Sequence, residues 1–248
     1  MGSLVLVRHG QASFMAADYD RLSPTGEEQS RRLGERWVER GVRFDAVYVG
    51  NRARQIRTGE IVGEVYRAAG KPWPDPVQLD ALDEMQAQLL LQKSIPDLVA
   101  ANPVVRAMFE ELHAAPSPEE SKKRFQTMFE RVMSMWVAGE LVAPGVETWR
   151  EFCARVRGAI SMVCGGAGPE PGQRRGGGRR VAAFTSGGPV AAAMQLALDT
   201  TDQSTIRIAF AVRNASVSQF LYSGGRFSLD VFNEVSHFND EARLLTYR

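Results

Sequence analysis

The stretch Leu4-Val5-Leu6-Val7-Arg8-His9-Gly10-Gln11-Ala12 decides how this chain is read. Four consecutive apolar residues read as a strand buried on both faces. The run then ends abruptly at a cation, an imidazole and a glycine. A charge buried without a partner is costly, so Arg8 is expected at the carboxyl end of the strand, facing something anionic. Taken alone, the stretch also fits a plain strand end carrying an exposed Arg-His pair. The two readings part on whether later segments supply the rest of an anion site.

The 248 residues suffice for one large α/β domain, or for one domain carrying an insertion. Thirty basic residues against 29 acidic leave a formal charge of +1, so overall charge argues neither for nor against nucleic acid. The one local basic cluster, Arg174-Arg175 and Arg179-Arg180, falls in a Gly/Arg-rich stretch over 165–180, which reads as a flexible, solvated loop. No nucleic-acid partner is expected. Cys153 and Cys164 lie on one predicted helix and its exit, roughly 16 Å apart by helical rise, too far for a disulfide. They lack metal-ligand spacing as well, and a reducing compartment is the default. No apolar stretch approaches the ~18 residues that span a bilayer. Nor does a basic segment followed by an apolar one open the chain. These features predict a soluble, cytoplasmic protein with no membrane partner.

Along the chain, strands and helices alternate. Residues 11–21 read as a loop with aromatics at Phe14 and Tyr19. A helix starts at Ser23-Pro24-Thr25-Gly26-Glu27-Glu28, where Ser23 or Thr25 can cap it, and runs to about Arg40. A strand over 44–49 is broken by Gly50-Asn51, and a helix follows over 53–69. Pro72, Pro74 and Pro76 then forbid regular structure. A short strand over 77–79 leads to Asp80-Ala81-Leu82-Asp83-Glu84. Residues 85–141 change character, with long Met- and Phe-rich helices separated at Asn102-Pro103 and Pro116-Ser117-Pro118. They read as a helical insertion, a cap over whatever the sheet presents. Its stripe of Phe125, Met128, Phe129, Val132 and Met135-Trp136 fits a packed core, and also an adaptable pocket wall that leans towards a partly apolar ligand. A helix over 149–163 and a buried strand over 181–184 come next. Thr185-Ser186-Gly187-Gly188-Pro189 then opens a helix over 190–198, which residues 206–211 are read as continuing. A hairpin around Gly224-Gly225 joins strands over 216–222 and 226–232. The expected fold is a single α/β domain, 1–248: a three-layer α/β/α sandwich with a predominantly parallel central sheet and the helical cap.

In such sheets ligands bind beyond the carboxyl ends of the strands. Three strand exits, Arg8-His9, 50–54 and 185–188, should therefore converge. They bring Arg8, His9, Arg54 (with Arg52 and Arg57 nearby) and the backbone amides around Gly187 and Gly188. A glycine turn that opens a helix aims unpaired N–H groups and the positive dipole end at one spot. An imidazole flanked by arginines is biased towards its neutral, nucleophilic form. Glu84 adds a carboxylate.

With those residues in place, the sequence resembles the histidine phosphatase superfamily, the phosphoglycerate-mutase-like proteins. The Arg-His-Gly signature follows the first strand as Leu6-Val7-Arg8-His9-Gly10. The family's Leu-(Ser/Thr)-x-x-Gly-x-x-Gln segment is matched by Leu22-Ser23-Pro24-Thr25-Gly26-Glu27-Glu28-Gln29. Its Arg-x-x-(Gln/Glu)-Thr-Ala helix is matched by Arg54-Gln55-Ile56-Arg57-Thr58-Gly59. Leu82-Asp83-Glu84 resembles the segment bearing the acid/base glutamate, and Asn214-Ala215-Ser216-Val217 the late Asn-x-Ser-Val strand entry. The matches run in family order over nearly the whole chain. The resemblance implies attack by His9 on a phosphomonoester to give a phosphohistidine, with Arg8 and Arg54 holding phosphoryl oxygens. It implies Glu84 as proton donor and then acceptor, with Asp83 its nearest rival, and no metal or other cofactor. Ser186 and Gly187 are expected at the phosphate, and Gln11 and Arg52 are auxiliary candidates.

One departure stands out. The family places a second histidine in a Ser-His-Gly-Gly-Pro-like segment, where this chain has Thr185-Ser186-Gly187-Gly188-Pro189. Ser186 can donate a hydrogen bond but carries no charge. The other histidines, His113 and His237, read as surface and structural residues. The first expectation is therefore a phosphatase acting on a small phosphorylated metabolite. A phospho-ligand-binding or regulatory protein that has lost turnover is the alternative, and a mutase ranks third. No oligomeric state is read from the sequence.

Overall fold

Six strands form one sheet: β1 (Gly2–Arg8), β2 (Ala46–Val49), β3 (Val77–Gln78), β4 (Arg180–Thr185), β5 (Val217–Ser223) and β6 (Arg226–Glu234). The computed structural model describes residues 1–13, 20–165, 178–239 and 241–247. The strand order is β3-β2-β4-β1-β5-β6. β1, β2, β3 and β4 run parallel, and β5 is antiparallel to both of its neighbours. β1 is thus a central strand, with Val7 opposite Phe184 on one side and Val217 on the other.

Alternation along β1 feeds two cores. Leu4 and Leu6 pack with Val181, Ala183, Phe152 and Val156 on one face. Val5 and Val7 pack with Val47, Val49, Phe184 and Leu33 on the other. All four are at most 1% exposed, and burying each stabilises the fold by about 1.5–3 kcal/mol. Helices α1 (Pro24–Glu39) and α2 (Ala53–Ala68) cover the second face. Helices α6 (Trp149–Gly165) and α7 (Gly187–Leu198) cover the first, which completes the expected three layers.

Between β3 and α6 the chain forms α3 (Ala87–Ala101), α4 (Pro103–His113) and α5 (Pro118–Val137). Asn102 and Ser117 cap the last two, each accepting backbone N–H bonds, with a proline at the first helical position. The stripe on α5 divides. Met128, Val132, Met135 and Trp136 are buried, whereas Phe125 and Phe129 are half-buried and face a cavity.

Several local expectations are sharpened. Ser23 is the cap of α1, its hydroxyl accepting from Gly26 N at 3.1 Å. Residues 206–211 do not continue the preceding helix. Asp199 ends α7 in a left-handed conformation at φ 52°, and Thr201 caps a separate helix, α8 (Asp202–Ala211). Helix α6 runs two residues further than expected, so Cys153 and Cys164 both lie on it as free thiols. Burial pushes both up to about 12. Phe14, Tyr19 and most of the Gly/Arg-rich stretch, 166–177, lie outside the described residues. No helix among the described residues is long and apolar enough to cross a membrane.

His237 is 3% exposed, and burial holds its pKa at about 4, with Glu234 and the backbone of Ala215 only partly opposing. The unfolded chain takes up this proton near pH 6.5, the folded one only near 4. Between those values the unfolded state binds more protons, so stability is full above pH 6.5 and falls as the pH drops towards 4. The loss is about 3 kcal/mol for this group. Urea titrations from pH 7 to 4.5 should show the decline, and His237→Leu should flatten it. An unchanged slope in the variant would remove His237 as the cause.

Candidate active site

The exit of β1 is pinned from several sides. His9 N donates to Thr185 O at 2.8 Å, and its carbonyl accepts from Ala215 N at 3.1 Å and Asn214 Nδ2 at 3.3 Å. Gly10 N donates to Thr58 Oγ1 at 3.0 Å. Gly10 also lies against the start of α1, where a Cβ would approach the Gly26 carbonyl oxygen to 2.4 Å, so this turn admits only glycine.

The imidazole of His9 is 5% exposed. Its Nδ1 lies 2.7 Å from the Gly10 carbonyl oxygen, which can only accept, so Nδ1 carries the proton. Nε2 is left with a lone pair and receives Arg54 Nε–H at 3.1 Å. Burial, then the charges of Arg54 and Arg8, hold the histidine well below its usual pKa, against the opposing pull of Gly10. It is a neutral imidazole with its nucleophilic nitrogen aimed at a guanidinium.

Arg54 stands in the first turn of α2 and is buried. Its Nη1 meets Asp20 Oδ1 at 2.5 Å, while Asp20 Oδ2 accepts from Ala53 N at 2.9 Å. Asp20 is placed by a short antiparallel bridge between Ala12 and Leu22, reinforced by Ser13 N donating to Arg21 O at 2.8 Å. Sequence reasoning missed Asp20. Its one signal is a carboxylate two residues before the matched Leu22-Ser23 segment. Arg8, on the opposite side, donates through Nη1 to the Val212 carbonyl.

At the start of α7, Gly188 N donates to Glu84 at 3.1 Å (Oε1) and 3.3 Å (Oε2), and Met85 N donates to Oε1 at 3.0 Å. A Cβ on Gly188 would lie 2.2 Å from Oε1, so glycine is what lets the carboxylate reach the helix end. There it meets the positive end of the helix dipole. Arg8, His9, Asp20, Arg52, Arg54, Glu84 and the Gly187-Gly188 backbone share one cavity of about 820 Å³, which residues of α3 and α5 also line.

Other candidates lie elsewhere. Ser186, expected at the phosphate, is fully buried and does not line the cavity. Its Oγ accepts from Gln55 Nε2 at 2.8 Å, and Gln55 Oε1 accepts from Arg52 N at 3.2 Å. The serine therefore braces the first turn of α2. Gln11 is outside the lining too: its Oε1 accepts from Ser23 Oγ and its N donates to Gln29 Oε1, both at 2.8 Å. Asp83 accepts from Asn51 N at 2.7 Å, shaping the β2 exit, and burial raises its pKa. Arg57 points to Glu60 and Glu64. His113 is exposed at the end of α4, and His237 borders a small pocket beside α1.

This placement predicts that Ser186→Ala removes the shorter of two acceptors of Gln55 Nε2, leaving the Leu82 carbonyl at 3.5 Å, costs about 1 kcal/mol of stability and leaves kcat little changed. Thermal melting beside steady-state kinetics checks it. A large kcat loss at unaltered stability would put the hydroxyl on the phosphate instead.

A sequence model of the histidine phosphatase superfamily (branch 1) matches residues 4–139 and 134–235. The chain belongs to this superfamily. It is 41% identical over 80 residues to the 2,3-bisphosphoglycerate-dependent phosphoglycerate mutase of Thermobifida fusca (strain YX), covering 29% of this chain and 31% of that protein. It is 36% identical over 67 residues to a phosphoglycerate mutase of Candida albicans, covering 25% of this chain and 27% of that one. The matched stretch thus spans about a third or less of these curated relatives. Among solved structures, phosphoglycerate mutase from Bacillus anthracis str. Sterne superposes with a TM-score of 0.61 at 19% identity, over 96% of this chain and 95% of that one. Mycobacterial glucosyl-3-phosphoglycerate phosphatase gives 0.57 at 22% identity, over 93% and 98%. At these identities the structural likeness establishes the superfamily fold alone.

Proposed function

We propose that this member of the superfamily hydrolyses phosphomonoesters through a phosphohistidine on His9. The observation that carries the reading is the fixed tautomer of His9, with Nδ1–H on the Gly10 carbonyl and Nε2 as a lone pair inside the cavity. Arg8, Arg54 and the amides opening α7 would bind the phosphoryl oxygens, which requires Asp20 and Glu84 to yield part of their present contacts. Nε2 then attacks phosphorus as the ester P–O bond breaks, and Glu84, which must enter this step as the protonated acid, delivers its proton to the departing alkoxide. In the second half, Glu84 takes a proton from water, which displaces phosphate from Nε2 and returns the neutral imidazole. The arginines neutralise the transferring group, so no step is assigned to a metal.

The test is hydrolysis of an activated phosphomonoester in excess chelator, with rapid quenching to trap an acid-labile phosphoprotein. Turnover with a burst of phosphohistidine is expected. Activity that vanishes with the chelator and returns with a divalent ion would overturn the metal-free part. A second reading, a phospho-ligand-binding protein without turnover, is favoured by the Arg54–Asp20 pair, which occupies a phosphate-binding cation with an internal carboxylate. It predicts phosphate binding with neither burst nor turnover.

A further inference from the structure

The cavity is divided by charge. Every charged side chain among its described lining belongs to the floor: Arg8, Asp20, Arg52, Arg54 and Glu84, beside the neutral His9. Among the described residues, the roof and far wall carry none. Leu89 and Leu91 come from α3, Phe125 and Phe129 from α5, Phe210 from α8 and Tyr247 from the carboxyl-terminal segment. Phe125 stacks on Phe129 at 6.1 Å and 21°, and Phe129 meets Phe210 at 5.7 Å and 54°, so a row of rings runs from the cap onto the body. All three rings are only half-buried. Gln88 and Gln92, with Leu91 between them, share one face of α3 and add neutral amides to the same wall, joined by Gln86.

We infer that the alcohol released by this site is uncharged and largely apolar, aromatic or branched aliphatic, with one or two neutral hydrogen-bonding groups. This rests on the phosphomonoesterase reading above. The phosphoryl group needs only the floor, and an 820 Å³ cavity leaves room for a drug-sized leaving group against the rings. Burying such a group removes half-exposed aromatic surface from water, whereas a second anionic group would meet a wall with no described cation. On the floor it would face Asp20 and Glu84, with Arg52 the sole cation beyond the Arg8–Arg54 pair in the described lining. The glutamines can satisfy a hydroxyl or amide but cannot neutralise a carboxylate. The structure thus points away from phosphoglycerate-like substrates, although relatives bear that name.

Two non-hydrolysable probes separate this inference from the catalytic one. Calorimetry should show benzylphosphonate binding about 30-fold more tightly than 3-phosphonopropionate, equivalent to about 2 kcal/mol. The Phe129→Leu/Phe210→Leu variant should lose most of that preference, with circular dichroism confirming that it folds. In parallel, benzyl phosphate should exceed 3-phosphoglycerate in kcat/KM by a similar factor. Equal affinities, tighter binding of the carboxylate probe, or no binding of either probe overturns the inference. A phosphonate preference without turnover of any ester upholds the apolar selectivity of the wall for a bound phospho-ligand and overturns the hydrolase reading. Turnover of both esters with no preference does the reverse.

Discussion

His9→Ala is expected to abolish hydrolysis, lowering kcat on the order of 10⁴-fold or more, as loss of a covalent nucleophile does. The backbone anchors to Thr185 and Ala215 survive the substitution, so the loop should persist, and melting temperature serves as the control. No other described lining residue offers a neutral nitrogen nucleophile. The trapped phosphoprotein should vanish together with turnover. Residual activity within tenfold of wild type would show that His9 is not the attacking group. The same site fixes a pH signature. Because burial and two arginines hold His9 well below 6.5, it stays neutral as the pH falls through that value. It should not contribute an acid limb to kcat/KM until the pH is well below 6.5.

The second large effect is expected at Arg54. Its Nε bonds His9 Nε2 and its Nη1 bonds Asp20, so one planar fork orients the proposed nucleophile while keeping a cation where the phosphoryl group is proposed to bind. Arg54→Gln should lower kcat/KM by about 10²–10³-fold, the scale of losing one pre-aimed donor to a developing anion. The glutamine also lacks the positive field that helps keep His9 neutral. His9 should therefore titrate higher, and the acid limb should move up in pH. Burial, the larger cause, remains, so the shift is partial. Arg54→Lys should not rescue, because a point charge cannot hold both partners at once. An unchanged kcat/KM and pH profile in Arg54→Gln would remove it from the site.

Most of the frame was legible because it follows from short-range rules. Four apolar residues ending at Arg8 specify a central strand, Ser23-Pro24 starts a helix, and strand exits in a parallel sheet point the same way. What escaped depends on directions that a linear chain does not encode. Ser186 was readable as a departure from the family, but not its bond to Gln55, since a hydroxyl at a strand end turns either way. Asp20 was missed because its contact joins a loop to the first turn of α2, 34 residues along the chain. The end of the helix at Leu198 was legible, but not that 206–211 belong to a separate helix, because the break is made by a non-glycine left-handed residue, Asp199. The aromatic stripe on α5 was visible, but which rings face the core and which the cavity required the neighbouring Phe210.

The central position of β1 also bears on biosynthesis. Residues 2–8 leave the ribosome well before any strand they pair with, because β4 begins at Arg180 and β5 at Val217. At typical elongation rates of 5–20 residues per second, the interval is roughly 10–40 s. Through it the nascent chain displays an apolar, unpaired strand that would aggregate if left free. Pairing on both edges of β1 therefore waits until synthesis has passed β5, and a chain truncated before Arg180 should be handed to chaperones rather than accumulate in folded form.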